Sequence, residues 1–274
     1  MATPVLLDPP AGVRSVRMAQ AQRLLQHHFG YPDFRAPQRR VIDSVLSGRD
    51  TLAVLPTGGG KSICFQIPAM VVEGFTLVIS PLISLMQDQV DAAGARGLPA
   101  AALNSSLSRQ RQQEILAELE AGTLKLLYTS PERLARLGPQ LASLGLKPSL
   151  LAVDEAHCIA EWGHDFRPSY RALRRARGVL GWPPTVALTG SATPEVRTDI
   201  VRALGLGSRS AFDLHLGSFD RPGRRRLKQD EQHEHRLHHR TTVHGMLLSH
   251  TSRQRFEITG SLDIVNRHLL HIEG

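Results

Sequence analysis

A glycine-rich segment, LPTGGGKS at residues 55–62, contains the residue types that bind phosphate groups. We call it the glycine loop. Glycines allow the backbone to turn tightly and to direct N–H groups at phosphate oxygens, and a following helix N-terminus attracts the same negative charge. In such a loop, Lys61 would reach the terminal phosphates of a nucleotide and the Ser62 hydroxyl would bind Mg²⁺. The other residues of the glycine loop that are candidates for phosphate binding are Thr57, Gly58, Gly59 and Gly60.

The alternative for the glycine loop is a flexible turn at the end of a strand. The strict phosphate-loop pattern begins with a glycine, where this chain has Leu55. The position of Gly-Lys-Ser between an apolar run and a helical pattern favours phosphate binding over the simple turn.

Two carboxylates follow an apolar run in the segment LLAVDEAH at residues 150–157. In a parallel sheet, the carboxyl end of each strand faces the ligand crevice. Asp154 is therefore placed to hold Mg²⁺, and Glu155 is placed to orient or deprotonate a water molecule. The alternative, in which Asp154 caps the next helix, is disfavoured because the glycine loop precedes it in the chain.

His157 would usually be interpreted as a structural histidine. Beside Asp154 and Glu155, it is a candidate for linking the state of a bound nucleotide to the rest of the protein. Cys158, His157 and His164 lack the spacing of a zinc site, so we expect no zinc.

The composition excludes several classes of protein. The 274 residues are 41% hydrophobic and 21% charged, which excludes wholesale disorder. No apolar stretch approaches the roughly 18 residues of a membrane span, and residues 1–10 lack a secretory pattern. Two cysteines cannot form a disulfide framework, so a reducing, cytoplasmic setting is expected. The net charge of +8 suggests an anionic partner such as nucleic acid, although half of it lies after residue 220.

Strand and helix patterns alternate along most of the chain, which predicts a parallel sheet covered by helices on both faces. Residues 1–17 are unpatterned and are expected to be a loose terminus. The predicted strands are 51–55, 75–80, 124–128, 150–153 and 185–188. The predicted helices are 18–29, 38–46, 60–70, 82–93, 108–120, 168–177 and 194–204, with Ser108 as a cap.

The last part of the chain has a different character. Residues 224–226 are consecutive arginines, and 8 of the 13 histidines lie after residue 220. Strand and helix patterns do not alternate there, so we expect residues 223–274 to be a basic, histidine-rich, disordered tail.

The motifs together resemble the first motor domain of RecQ-family DNA helicases, within superfamily 2. The resemblance runs from about residue 29 to residue 221. It implies a RecA-like P-loop NTPase domain over residues 18–222 that binds ATP and Mg²⁺. It further implies 3′ to 5′ unwinding of single-stranded or forked DNA in recombination and repair, at the nucleoid. The segments that carry it are LPTGGGKS at 55–62, SPLISLMQDQV at 80–90, DEAHCI at 154–159, WGHDFRP at 162–168 and SAT at 191–193.

The resemblance assigns further roles. Tyr31 and Arg35 would sandwich the adenine, and Gln38 would hydrogen-bond its edge, although a glutamine there is more often a solvated helix residue. An aromatic-rich loop would couple DNA contact to ATP hydrolysis, with core packing as its alternative, and a motif after the last predicted strand would relay hydrolysis to a second motor domain. The residues involved are Trp162, Phe166 and Arg167 in the loop, and Ser191 and Thr193 in the relay motif.

The resemblance stops after Pro222, and the remaining 52 residues do not have room for a second motor domain or its arginine fingers. With 29 Arg against 4 Lys, a frameshifted or truncated gene product is one hypothesis, and a genuine tail that binds nucleic acid or metal is the other. The function is therefore a RecQ-type helicase or, alternatively, an ATP- and DNA-binding module without unwinding activity. The WGHDFRP segment disfavours an RNA helicase, and together with Gln38 it disfavours a transporter ATPase. The oligomeric state stays open.

Overall fold

The computed structural model describes residues 9–159 and 172–217, all within one compact unit, Met1–Phe219. Helices and strands alternate through this part of the chain, as the sequence pattern predicts. The helices are α1 (Ala11–Phe29), α2 (Ala36–Leu46), α3 (Ile63–Val71), α4 (Ile83–Gly94), α5 (Arg109–Glu120), α6 (Pro131–Ser143), α7 (Leu173–Val179) and α8 (Pro194–Leu204). The strands are β1 (Asp50–Val54), β2 (Thr76–Ile79), β3 (Ala100–Leu103), β4 (Leu126–Thr129), β5 (Leu150–Val153), β6 (Thr185–Thr189) and β7 (Phe212–Leu216).

The seven strands form one sheet in the order β3-β4-β2-β5-β6-β1-β7, and every pairing is parallel. Strand β6 lies between β1 and β5, with Ala53 opposite Leu188 and Val153 opposite Ala187. The carboxyl ends of these three strands therefore meet at one edge of the sheet, which is where α/β sheets bind ligands.

Both faces of the sheet are covered. Along β5, Leu151 and Val153 belong to one core cluster, while Leu150 and Ala152 belong to the cluster on the other face. Alternate side chains of a strand point to opposite faces, so burial of both sets explains the unbroken apolar strands. The predicted α/β sheet with helices on both faces is confirmed.

Helix α1 begins at Ala11 rather than at Met18, so the prediction of a loose terminus is wrong for residues 11–17. Contacts with the second helix order these residues, although they lack an apolar pattern. Arg14 forms a salt bridge with Asp43, and Arg17 donates a hydrogen bond of 2.8 Å to the Leu46 carbonyl. The tertiary contacts determine where the helix begins, because the intrinsic helix propensity of these residues is too small to determine it.

Helix α3 begins at Ile63, later than the predicted start at Gly60. Gly60 has φ of +73°, which a right-handed helix excludes, so the glycine loop extends to Ser62. Ser108 caps α5 as predicted, since its side chain accepts a hydrogen bond from the Arg111 amide. The predicted start of the helix at 168 and the tail at 223–274 lie outside the described residues. None of the described helices has the length and apolar character needed to cross a membrane.

Candidate active site

The glycine loop joins β1 to α3 and has a backbone that only glycines adopt without strain. Gly58 and Gly60 have φ of +76° and +73°. A Cβ at Gly59 would lie 2.6 Å from the Pro56 carbonyl oxygen, too close for any side chain, while a Cβ at Gly60 would collide with the Gln38 amide. Three consecutive glycines are therefore required for this turn, which is as tight as a phosphate cradle demands.

Asp154 follows β5 directly and is buried, with 5% of its surface exposed. Its Oδ1 accepts a hydrogen bond of 3.0 Å from the Glu155 amide. Its Oδ2 accepts one of 3.2 Å from Gln89 Nε2 on α4. Burial raises the pKa of Asp154, and the neighbouring Glu155 charge raises it further. A helix cap would explain only the local hydrogen bond of Oδ1 with the Glu155 amide. The hydrogen bond of Oδ2 with Gln89, on a different helix, shows that the carboxylate also makes a tertiary contact.

Glu155 connects the two halves of the site. Its Oε1 lies 3.4 Å from Lys61 Nζ in the glycine loop, and its Oε2 lies 3.3 Å from His157 Nδ1. The hydrogen bond from His157 and the Lys61 charge hold the pKa of Glu155 below its usual value, although partial burial opposes them. Glu155 also has φ of +45°, a conformation that non-glycine residues rarely adopt and that concentrates at functional sites.

His157 is hydrogen-bonded to the end of β6 through a residue that the sequence analysis did not single out. The Thr189 hydroxyl donates to the Ser191 carbonyl at 3.0 Å, so its oxygen accepts from His157 Nδ1 at 3.1 Å. The Cys158 sulfur, 3.9 Å from Nε2, and the Glu155 carboxylate raise the pKa of His157 to about 10. A continuous chain of contacts therefore runs from Lys61 to Ser191.

Thr189 could have been found from the sequence, because it is a hydroxyl residue at the end of a buried strand next to a glycine. That glycine, Gly190, faces the loop: a Cβ placed on it would lie 3.6 Å from both Lys61 Nζ and Thr57 Oγ1. Gln89 could not have been found, since its contact with Asp154 joins residues far apart in the chain.

Two of the three residues predicted to bind adenine, Arg35 and Gln38, contact the glycine loop. The Arg35 guanidinium donates a hydrogen bond of 2.7 Å to the Gly58 carbonyl. Gln38 is 4% exposed, so the solvated alternative is wrong. Its Nε2 donates to the Gly59 carbonyl at 3.0 Å, and its Oε1 accepts from the Arg35 amide at 2.9 Å. Tyr31 is 54% exposed, which leaves its ring free to stack on a base.

The structure places the predicted relay residues at the start of α8. Ser191 is exposed, and its carbonyl accepts the hydrogen bond from Thr189. The Thr193 hydroxyl caps the helix by accepting from the Val196 amide at 3.4 Å, which is a structural role. The residues predicted to couple DNA contact to hydrolysis, Trp162, Phe166 and Arg167, lie outside the described residues.

Comparison with known proteins identifies the fold and the family pattern. Residues 35–200 match the DEAD/DEAH box helicase family. The solved structure of the DUF1998 helicase MrfA bound to DNA superposes with a TM-score of 0.58 at 16% identity, covering 79% of this chain and 30% of that one. At this identity, the likeness supports the fold alone.

Two curated relatives are much more similar in sequence. The ATP-dependent DNA helicase RecQ of Pasteurella multocida is 50% identical over 194 residues, which are 71% of this chain and 30% of that protein. The ATP-dependent DNA helicase RecQ of Bacillus subtilis is 51% identical over 187 residues, which are 68% of this chain and 32% of that protein. The chain therefore spans about a third of the length of these relatives.

Proposed function

Because the chain belongs to the DEAD/DEAH box helicase family, we propose that it is the ATP-hydrolysing motor domain of a RecQ-type DNA helicase. The observation that carries this proposal is the 3.4 Å ion pair between Lys61 and Glu155. It brings the loop that would hold phosphates against the carboxylate that would act on water. The identity of 50% and 51% to two bacterial RecQ helicases favours the RecQ type.

The glycine loop and the helices before it have the chemistry of an ATP site. The loop would direct N–H groups at the phosphates, and Thr57 and Lys61 lie together on the side that faces Gly190. Arg35 already contacts the loop at Gly58. Its planar guanidinium and the exposed Tyr31 ring would stack on the two faces of adenine.

The oxygen donors at this edge of the sheet have the chemistry to hold a magnesium ion. The Ser62 hydroxyl and the Asp154 carboxylate are the ligand types that Mg²⁺ prefers. Held there with ATP, the ion would supply positive charge that offsets the charge developing on the phosphate oxygens during phosphoryl transfer.

Hydrolysis then follows from a change of partners at Glu155. The phosphates of ATP carry more negative charge than one carboxylate, so they would compete for Lys61 and release Glu155 Oε1. Glu155 is ionised at neutral pH, as an ordinary glutamate is, and the His157 contact holds its pKa below the usual value. It would accept a hydrogen bond from water and orient that water toward the γ-phosphorus. The new P–O bond would form from that water as the bond between the γ-phosphorus and the β–γ bridging oxygen breaks, with one water proton passing to Glu155 and ADP as the leaving group. Lys61 would stabilise the phosphate charge.

The activity of the whole protein is proposed by analogy with the longer relatives. It would move 3′ to 5′ on single-stranded or forked DNA in recombination and repair, within the cytoplasm at the nucleoid. Trp162 and Phe166 would stack on unpaired bases and Arg167 would contact phosphates. Ser191 and Thr193 would pass the hydrolysis signal onward. The chain of contacts through His157 and Thr189 reaches Ser191 and supports its part in that route, while the Thr193 hydroxyl caps α8.

The type of nucleic acid that stimulates hydrolysis tests this proposal. We expect ATP turnover by the purified chain to rise with single-stranded DNA and to rise less with RNA of the same sequence. Equal stimulation by both would contradict the DNA-helicase assignment. ATP binding without turnover under any condition would instead support the alternative, a nucleotide- and DNA-binding module without motor activity.

A further inference from the structure

Gln89 lies on α4, distant in sequence from both the glycine loop and the carboxylates, yet its side chain reaches the site. Its Nε2 donates a hydrogen bond of 3.2 Å to Asp154 Oδ2. The other oxygen of Asp154 accepts from the Glu155 amide at 3.0 Å. Two donors from two different elements therefore hold the two oxygens, and together they fix the plane of the carboxylate.

The sheet determines why a residue of α4 can make this contact. Strand β2 pairs with β5, so Ile79 lies opposite Val153, and the Asp154 amide donates to the Ile79 carbonyl at 2.9 Å. Helix α4 begins at Ile83, shortly after β2 ends. Helix residues three apart share a face, so the fully buried Met86 places Gln89 on the inward face.

The chemistry of the amide suits the support of a metal-binding carboxylate. An amide N–H orients the carboxylate without neutralising it, whereas an ammonium group there would compete with a cation for the same charge. Gln89 Oε1 is buried and has no hydrogen-bond partner within the described part of the chain.

We propose that Gln89 is a positioning residue that holds Asp154 in the orientation needed to bind Mg²⁺ with the nucleotide. The inference rests on the nucleotide-binding function proposed above. It predicts that loss of the Gln89 amide weakens the contribution of Mg²⁺ to nucleotide binding and leaves binding of the metal-free nucleotide intact.

Helix α4 supplies a matched control. Gln87 is exposed, and its Nε2 donates a hydrogen bond of 2.9 Å to Asp91 on the same helix. Gln87→Met and Gln89→Met each remove one amide-to-carboxylate hydrogen bond. Both replace glutamine by a side chain of similar size and helix propensity. Only the second change removes a contact with Asp154.

The test is titration of fluorescent mant-ATP with the wild-type chain and both variants, in Mg²⁺ and in EDTA. We expect Gln89→Met to bind as wild type in EDTA and to lose about tenfold or more of the affinity gained with Mg²⁺, the size typical of groups behind a metal ligand. Gln87→Met should match wild type in both conditions. Circular dichroism checks that each variant folds, and Gln89→Ala replaces Gln89→Met if that variant does not.

Two results would overturn the proposal. Equal affinity of Gln89→Met and wild type in Mg²⁺ would show that the hydrogen bond does not position the carboxylate. An equal loss in Mg²⁺ and in EDTA would show that Gln89 supports only the fold of the site. Absence of nucleotide binding by the wild-type chain would overturn the proposed function together with this inference. The first two results leave the proposed function standing, because wild type still binds nucleotide in both of them.

Discussion

Lys61 Nζ and Glu155 Oε1 lie 3.4 Å apart, so the lysine of the glycine loop and the second carboxylate after β5 form an ion pair across the edge of the sheet. Strand β6 separates the two strands that carry them. The sheet therefore brings into contact two residues that are far apart in the chain.

The glycine loop tolerates no side chain at Gly60. Gly60→Ala is expected to weaken nucleotide binding and to destabilise the protein by about 1–3 kcal/mol, because alanine is strained at φ of +73° and its Cβ would displace the Gln38 amide. Urea unfolding and mant-ATP titration measure the two effects. Gly94→Ala in α4 is the control, since nothing lies within 4 Å of its added Cβ, and it should be neutral or slightly stabilising. Normal nucleotide binding by the Gly60→Ala protein would contradict the proposal that the glycine loop binds the phosphates.

The Thr189 hydroxyl is expected to matter for turnover more than for binding. Thr189→Val keeps the shape of the side chain and removes the hydrogen bonds with His157 and Ser191. We expect a loss of about 1–3 kcal/mol of stability, a clear fall in kcat for ATP, and unchanged affinity for mant-ATP. The reverse pattern, weakened binding with normal kcat, would argue against a link from β5 to Ser191.

A buried ion pair at the opposite end of the sheet fixes the strands that support the site. Arg177 donates to Asp50 Oδ1 at 2.8 Å, and both side chains are inaccessible to solvent. Arg177→Met would leave a buried, uncompensated carboxylate, so we expect a loss of about 3–5 kcal/mol in urea unfolding. Arg202→Met removes an exposed arginine and should change stability by no more than about 0.5 kcal/mol. Equal effects of the two variants would contradict this account.

The imidazole of His157 is expected to stay protonated well above neutral pH. Its pKa is raised from 6.5 to about 10 by the Cys158 sulfur and the Glu155 carboxylate. The charged form is favoured in the folded protein, so its contribution to stability is complete below pH 6.5 and is lost as the pH rises toward 10. An NMR titration of the ring measures this pKa directly. Cys158→Ala and Glu155→Gln should each lower it, and a wild-type midpoint near 6.5 would refute the prediction.

Much of this structure follows from local sequence, and the parts that do not have identifiable causes. Residues 150–153 are an unbroken apolar run before two carboxylates, and β5 has the same bounds. Strand β3 was missed because alanines, which favour strands weakly, make up most of it. Strand β7 was missed because it is a half-buried edge strand with alternating polarity. Helix α6 was missed although Ser130 and Pro131 mark its start.

The contacts within the site depended on tertiary structure. The residue types of Lys61, Asp154 and Glu155 and their places at strand ends predicted that they would meet. No local pattern indicates that Gln89 bonds to Asp154 or that Gln38 bonds to the Gly59 carbonyl, because such contacts depend on how distant helices pack. The sequence therefore predicts that these candidate residues come together, and the structure adds the side chains that hold them in place.

In the proposed mechanism, Lys61 binds the nucleotide and Glu155 acts on water. The most direct test is to measure mant-ATP affinity and ATP turnover, with single-stranded DNA, for wild type, Lys61→Ala and Glu155→Gln. We expect that wild type and Glu155→Gln bind nucleotide, that Lys61→Ala loses binding, and that only wild type turns ATP over. Normal binding by Lys61→Ala, or normal turnover by Glu155→Gln, would contradict it.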